Sequence, residues 1–537
     1  MIQHPRIAVS YPQATHVIVP SYWFATLWLS TMKKIYLETF GCQMNVLDSE
    51  LVETQLRAIG YDFTSSLADA DVVLYNTCSV RDRSEQKVWS RLGALKERKI
   101  ADPSLIIGVI GCMAERDGIS LMRRMPQVDL MCGPSQLDQL PTLLENVLKT
   151  SRQQHALAGN TARRSQTKKI EQAQDSEDRL ERLDLSRSFS ADRNKFQAYL
   201  RIVRGCNKFC SYCVVPFTRG PEISRSPQTI LDEAKKLTDA GALEITLLGQ
   251  TVNHYKHERT TFAELLHLLH EKLPHLPRLR FITSYPADFG DDILHVMAAS
   301  PRICRYLHIP AQSGSNRILK LMNRGYSVES YLDLLTRARS ILPKDGGGIQ
   351  FASDFIVGFP TETDEDYALT RSLVEQAQYK NSFIFQYSPR PGTLAAKRYQ
   401  DDIPDSVKRF RNNDLLALQN SISHTLNNQL IGQTVEVLVE APSGWNSKES
   451  DTPLIAGDQR EGKIELGLRL AAALHPQKTR GIGAPPMSTH PIQLTARTQH
   501  DQIVVFNGPT TLIGQILPVT IQSAHNLTLF ATLLPSI

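Results

Sequence analysis

Long apolar runs, cysteine and an excess of one charge are all scarce in this 537-residue chain. No stretch approaches the roughly 18 consecutive apolar residues that a membrane-spanning helix needs, which argues against a membrane span. Cysteine occurs eight times, at 42, 78, 112, 132, 206, 210, 213 and 304, too sparsely to staple a chain of this length as a disulfide scaffold. Their spacing instead favours metal ligation in a reducing compartment. With 60 Lys and Arg against 55 Asp and Glu, the net charge is only +5. That is compatible with a nucleic-acid partner, but electrostatic binding depends on where charges cluster. What is present is ordinary for a globular protein: 41% apolar and 21% charged residues, in a length sufficient for roughly two to four domains.

The first 31 residues stand apart. Val17 to Ser30 is uncharged and carries Trp23 and Trp28, yet the start is only weakly basic and no small-residue cleavage site follows. Residues 1–31 are therefore read as an extension, untranslated or disordered, with the functional chain starting at Met32, just ahead of a clean strand.

From there one pattern repeats three times. Strand-like runs over residues 34–40, 71–77 and 105–111 end at Cys42, Cys78 and Cys112, and each is followed by a helical pattern. Such alternation predicts a parallel α/β sheet. In open α/β sheets the carboxyl ends of the strands hold the binding crevice, so three cysteines 36 and 34 residues apart can meet there. Three unrelated thiols at strand ends remain the competing explanation. Cys132, after a possible short fourth strand, reads as a packed thiol.

Residues 151–190 are polar and charged and read as a linker. Between Phe196 and Pro389 six strand-like runs alternate with helical ones, short of a closed eight-stranded barrel. An incomplete barrel has a side opening, which suits a large substrate. Asp405–Leu430 reads as a helix. Beyond it, runs over 434–440, 502–506 and 513–521 read as strands of a small β barrel, with a Pro-, Gly- and Ser-rich insertion at about 441–490.

The sharpest local signal is Cys206, Cys210 and Cys213, spaced C-x3-C-x2-C directly after a strand. Thiolates are soft, strongly donating ligands suited to iron–sulfur chemistry. Structural zinc would need a fourth ligand nearby, and the nearest downstream candidates are the distant His254 and His257. Three ligands on a four-iron cube would leave one iron open for a small molecule.

Over about residues 33–525 the chain resembles the methylthiotransferases of the radical S-adenosylmethionine superfamily. The resemblance rests on the C-x3-C-x2-C loop and on Glu38–Asn45, Cys213–Gly220 with Glu222, Ser224 and Arg225, and Leu247–Tyr255. Further matching segments are Ile309–Asn316, Asp354–Pro360 and Tyr387–Thr393. It implies an α/β chain of three parts: an N-terminal parallel α/β cluster domain (33–149), a partial (β/α)6 radical core (192–428) and a TRAM-like barrel (430–525). It implies two 4Fe–4S clusters. Cys206, Cys210 and Cys213 would hold the one that cleaves S-adenosylmethionine, and Cys42, Cys78 and Cys112 the one that donates sulfur. S-adenosylmethionine would serve as both methyl donor and radical source. Gln250, Asn253, Gln312 and Ser313 fall at or beyond strand ends, where they would line the cofactor or substrate pocket; ordinary loop-closing hydrogen bonds explain them equally well.

Within the family, the residues around Cys42 and Cys213 resemble the branch that acts on N6-isopentenyladenosine at position 37 of tRNA, converting it to the 2-methylthio derivative. Threonylcarbamoyladenosine in tRNA and an aspartate of a ribosomal protein are the alternative acceptors, and a non-enzymatic iron–sulfur RNA-binding protein is a distant third reading. The implied partners are the tRNA anticodon loop, an electron donor such as flavodoxin or ferredoxin, and a sulfur source, all in the cytoplasm. Arg219, Arg225 and Arg390 are candidate RNA contacts. Thr361, Tyr285 and the long 441–490 stretch depart from the family pattern.

Overall fold

The computed structural model describes residues 32–79, 82–159, 179–189, 196–342, 348–443 and 491–534. The expectations for residues 1–31 and for most of the 441–490 insertion lie outside these residues.

The N-terminal part is a six-stranded, all-parallel sheet. It comprises β1 (Lys34–Phe40), β2 (Asp62–Phe63), β3 (Val72–Thr77), β4 (Ile106–Gly111), β5 (Leu130–Cys132) and β6 (Gln154–Ala156), in the order β2-β1-β3-β4-β5-β6. Every residue of β3 and β4 is buried, as expected for central parallel strands covered on both faces. One face packs on Leu47, Leu51 and Leu56 of helix α1 (Gln43–Ala58); the other packs on Val88, Leu92 and Leu95 of α2 (Asp82–Ala101). Two results depart from the linker expected at 151–190. Gln154–Ala156 is the sheet's edge strand, paired with β5, and residues 179–186 are helical with Leu180 and Leu183 in the core.

The central part contains the six expected strands. They are β7 (Gln197–Arg201), β10 (Glu244–Leu248), β13 (Arg278–Phe281), β14 (Tyr306–His308), β15 (Gln350–Val357) and β16 (Asn381–Gln386). Two short antiparallel pairs lie between them, β8 (Val203–Arg204) with β9 (Ile223–Ser224), and β11 (Lys256–His257) with β12 (Thr260–Thr261). The six form two parallel triplets, β7-β10-β13 and β14-β15-β16. They are joined where Leu279 of β13 bonds to Arg302 O and Cys304 N, both at 2.8 Å, just before β14. Among the described residues β7 and β16 do not pair, so the barrel is open on one side. Among the helix starts capped by side chains, Thr261 and Glu264 form a reciprocal capping box, and Ser226 accepts from Thr229 N.

The long helix Asp405–Asn428 packs on β16 and leads into a closed five-stranded barrel. Its strands are β17 (Thr434–Pro442), β18 (Ile492–Thr498), β19 (Ile503–Gly508), β20 (Ile516–His525) and β21 (Thr528–Leu533), in the order β17-β18-β19-β21-β20. Closure removes unpaired edges and encloses Val437, Val439, Leu494, Val504, Val519 and Leu529. The barrel docks on the radical core through buried arginines. Arg278 donates to Arg497 O at 2.7 Å, and Arg280 to Gln499 O at 3.2 Å while held by both oxygens of Glu244 at 2.8 and 3.0 Å.

Candidate active site

Strand register brings the first three cysteines to one edge. Phe40 of β1 lies opposite Thr77 of β3, and Thr77 lies opposite Gly111 of β4. Cys42, Cys78 and Cys112 follow these positions by one or two residues, on strands that neighbour at about 4.8 Å. Two glycines permit the approach. A Cβ on Gly41 (φ +143°) would lie 2.4 Å from Cys78 Cβ, and one on Gly111 (φ +89°) would lie 2.4 Å from Asn76 Oδ1. Beneath the thiols the buried pair Asn45 and Asn76 bond to each other at 2.9 Å, and Cys42 Sγ donates to Asn45 Oδ1 at 3.2 Å. Burial pushes the Cys112 thiol up, while the Arg219 guanidinium beside it pulls it down and Cys42 opposes it as a like charge.

The second trio sits on a loop between β8 and β9. Gly205 enters it at φ +67°, where an added Cβ would lie 1.9 Å from Pro221 O, so only glycine fits. Backbone N–H groups point at sulfur: Lys208 N lies 3.4 Å from Cys206 Sγ and Val215 N 3.4 Å from Cys213 Sγ. Arg324 Nη1 donates to Cys210 Sγ at 3.3 Å, and Thr251 Oγ1 lies 3.7 Å from Cys206 Sγ. Burial raises the Cys213 thiol well above its ordinary range, and Cys210 and Cys206 add to the rise as like charges. The loop is anchored from behind, with Ser211 N on Met322 O at 2.9 Å and Ala395 N on Ser211 O at 2.7 Å.

Among the described residues no three His, Cys, Asp or Glu side chains converge on a point that a single metal ion could occupy. A cubane cluster binds each thiolate to a different iron and so needs the sulfurs farther apart than a mononuclear site does. The chemistry of both trios suits such a group: three cysteines brought to one sheet edge at the first, and three on one loop with amide or guanidinium donors to sulfur at the second. Cys132 is a fully buried thiol that donates to Gln136 O at 3.0 Å, a packing role.

Of the four expected pocket residues, two spend their side chains on the fold. Asn253 clamps the Tyr285 backbone, donating to its O at 2.9 Å and accepting from its N at 2.7 Å. Ser313 is buried against Thr370 and accepts from Ser315 N at 3.2 Å. Gln250 lies just beyond β10, and Gln312 beyond β14 in a left-handed conformation (φ +71°). Among the described residues neither side-chain amide has a protein partner. These two amides are the ones left for a ligand.

The arginines read as RNA contacts are corrected. Arg219 donates to Asp48 at 2.7 Å; Arg225 is fully buried against Glu181 (2.8 and 2.9 Å) and Glu233 (2.7 Å); Arg390 pairs with Glu85 at 3.1 Å. Arg219 and Arg225 belong to a network that sequence reasoning missed. Asp48 and Glu50 of α1, Glu181 and Asp184 of the 179–186 helix, and Glu233 of the core face Arg187, Arg201, Arg204, Arg219 and Arg225. Five carboxylates thus balance five guanidiniums between the two cysteine sites. Arg201 bridges Asp48 at 2.9 Å and Asp184 at 2.6 Å. Three arginines outweigh burial to hold the Asp184 carboxyl well below the ordinary carboxylate range.

Comparison with known proteins agrees with this geometry. Residues 34–133, which carry the first trio, match the uncharacterized protein family UPF0004, and residues 200–374, which carry the second, match the radical SAM superfamily. A tRNA-2-methylthio-N(6)-dimethylallyladenosine synthase of Rhodopirellula baltica is 42% identical over 93% of this chain and 95% of its own length. The chain belongs to the tRNA-2-methylthio-N(6)-dimethylallyladenosine synthase family. Relatives of the same description in Bacteroides fragilis and Akkermansia muciniphila are 38% and 36% identical, over 93% and 94% of this chain and 95% and 100% of theirs. Among solved structures, the radical S-adenosylmethionine methyltransferase TsrM from Kitasatospora setae superposes with a TM-score of 0.50 at 16% identity, over 68% of this chain and 74% of that one. At that identity the likeness concerns the fold. For this synthase family member, the fold expected from sequence stands: N-terminal parallel sheet, partial radical barrel and terminal closed barrel.

Proposed function

We propose that this chain converts N6-isopentenyladenosine at position 37 of tRNA into its 2-methylthio derivative. The observation that carries the reading is the presence of two three-cysteine sites, with Arg219, which follows Cys213 in the chain, beside Cys112, within a chain alike over nearly its whole length to synthases of that name. Cys206, Cys210 and Cys213 would hold the cluster that binds S-adenosylmethionine, and Cys42, Cys78 and Cys112 the cluster that carries sulfur. When bound, these groups supply hydrogen abstraction at an unactivated aromatic C–H and the methylthio group that replaces it.

The chain's own residues bind, orient and shield. Gly205 and Gly41 let the backbone close on the thiols. The amides of Lys208 and Val215 and the guanidinium of Arg324 stabilise thiolate at the second site, as hydrogen bonds to sulfur do. Gln250 and Gln312 would orient the cofactor or the base. The open side of the barrel gives an anticodon loop access, since single-stranded loops present splayed bases. The terminal barrel would grip the backbone nearby. A low-potential electron donor such as flavodoxin or ferredoxin, and a sulfur source, would complete the reading, and a cytoplasmic location would suit a tRNA substrate. No helix among the described residues is long and apolar enough to cross a membrane.

The test is acceptor choice. Anaerobically reconstituted protein is given dithionite, sulfide and S-adenosylmethionine with three acceptors in parallel: isopentenyladenosine tRNA, threonylcarbamoyladenosine tRNA and the ribosomal protein. Mass spectrometry should find the methylthio product in the first alone. Product in either of the others instead would overturn the branch assignment.

A further inference from the structure

The loop holding Cys206, Cys210 and Cys213 is touched by a cation that no acid answers. Arg324 follows the helix Asn316–Leu321, and its guanidinium carbon lies 4.5 Å from the ring centre of Tyr285 and 5.0 Å from that of Tyr326. Its Nε donates to Tyr326 Oη at 2.9 Å, one Nη to Pro310 O at 3.0 Å, and the other to Cys210 Sγ at 3.3 Å. Among the described residues it makes no ion pair. Lys208, on the same Tyr285 ring at 4.5 Å, is neutralised by Asp288, and Arg219 at the other cysteine site is neutralised by Asp48 at 2.7 Å. Arg324 is therefore the cysteine-contacting cation whose charge is spent on neutral acceptors and on sulfur alone.

Its orientation is built rather than incidental. Tyr285 Oη accepts from Gly325 N at 2.9 Å, fixing the backbone next to Arg324, and Tyr326 Oη bonds onward to Ala311 O at 2.8 Å. Two aromatic rings and two oxygen acceptors leave one Nη aimed at Cys210. Three thiolates on a four-iron cube carry net negative charge, which grows on reduction. A fixed cation with an N–H on one ligating sulfur stabilises the reduced state more than the oxidised one, and hydrogen bonds and charge are the levers that set such potentials.

We propose that Arg324 is a positioning residue that holds the Cys210 thiolate and raises the reduction potential of the cluster bound there, easing reduction of the cluster by its electron donor. The proposal rests on the reading that Cys206, Cys210 and Cys213 hold that cluster.

The experiment uses full-length protein with Cys42, Cys78 and Cys112 changed to Ala, so that one cluster remains. Iron analysis comes first: about four irons per chain are expected, and their absence with Arg324 intact would overturn the cluster assignment rather than the role of Arg324. Redox titration without S-adenosylmethionine, followed by electron paramagnetic resonance, then compares Arg324, Arg324→Gln and Arg324→Lys. At fixed poise, Arg324→Gln should lower the reduced-to-oxidised ratio at least tenfold, a fall of about 59 mV for a one-electron couple, and Arg324→Lys should recover part of it. If Gln loses the iron while Lys keeps it, the charge is needed to hold the cluster, in line with the proposal. Equal potentials in all three, loss of iron in both variants alike, or a change confined to S-adenosylmethionine affinity would each overturn it.

Discussion

Asp48→Asn is the substitution that probes how the two cysteine sites are held together. Asp48 is 0% exposed on α1, about one and two-thirds helical turns beyond Cys42, and faces two guanidiniums from the radical core. The change keeps shape and removes charge. Arg201 would retain Asp184 at 2.6 Å, so it is not orphaned. Arg219 would lose the carboxylate that neutralises it, leaving one buried cation uncompensated. Breaking one partner of a buried pair costs about 3–5 kcal/mol, and the surviving Arg201 pairing keeps the total from doubling. At about 1.4 kcal/mol per decade, the open population of this interface should rise by roughly two to nearly four orders of magnitude. Hydrogen exchange read by mass spectrometry measures this directly, with peptides over 43–58 and 197–204 reporting the interface and 516–525 in the barrel as control. Interface protection should fall at least a hundredfold, by about 2.7 kcal/mol or more, with the barrel unchanged. A fall below tenfold, or an equal fall in the barrel, would refute the reasoning. Arg219→Gln added to Asp48→Asn should cost less than the sum of the two, because both remove one interaction.

Gly205→Ala places a methyl 1.9 Å from Pro221 O at φ +67°, so iron content should fall by about half while the first site stays loaded. Gly41→Ala, whose methyl would meet Cys78 Cβ at 2.4 Å, should give the converse: 5′-deoxyadenosine still forms but sulfur insertion is lost. Burial holds the His500 imidazole neutral, bonded to Gly348 O at 2.8 Å, with its pKa lowered to about 4. That folded value lies below the ordinary one near 6.5, so this stabilisation is complete above about pH 6.5 and is lost as pH falls toward 4. It amounts to at most about 3 kcal/mol. Thermal melts should therefore drop more steeply across that window for the wild type than for His500→Asn.

Legibility followed the range of the signal. The three repeats ending in cysteine and the C-x3-C-x2-C loop are local patterns, and they placed both cysteine trios at strand ends without coordinates. The six core strands were legible because each is a short strand-like run separated from the next by a helical pattern. Strand β6 was not: three residues containing Gln and His have no periodic signature, and their place is set by pairing with β5. β18 and β21 were missed as well, although Ile492–Thr498 alternates apolar and polar residues and Thr528–Leu533 is as long as β19. The ionic network was the largest omission. Asp48, Asp184 and Glu233 on helices look like solvated faces until a second element covers them. The same blindness made Arg219 and Arg225 read as RNA contacts, because a buried arginine and a phosphate-binding one are the same letter. Asn253 and Ser313 carried a similar ambiguity, and their hydrogen bonds place them in the loops' own architecture.

The most direct measurement counts two products in one reaction. Wild-type protein, the Cys206/Cys210/Cys213→Ala variant and the Cys42/Cys78/Cys112→Ala variant are each reconstituted anaerobically and given S-adenosylmethionine, dithionite, sulfide and isopentenyladenosine tRNA. Both 5′-deoxyadenosine and 2-methylthio-N6-isopentenyladenosine are quantified. The wild type should make both, the first variant neither, and the second 5′-deoxyadenosine without the methylthio nucleoside. Methylthio nucleoside from either variant, or cofactor cleavage with no modified tRNA from a fully loaded wild type, would contradict the account.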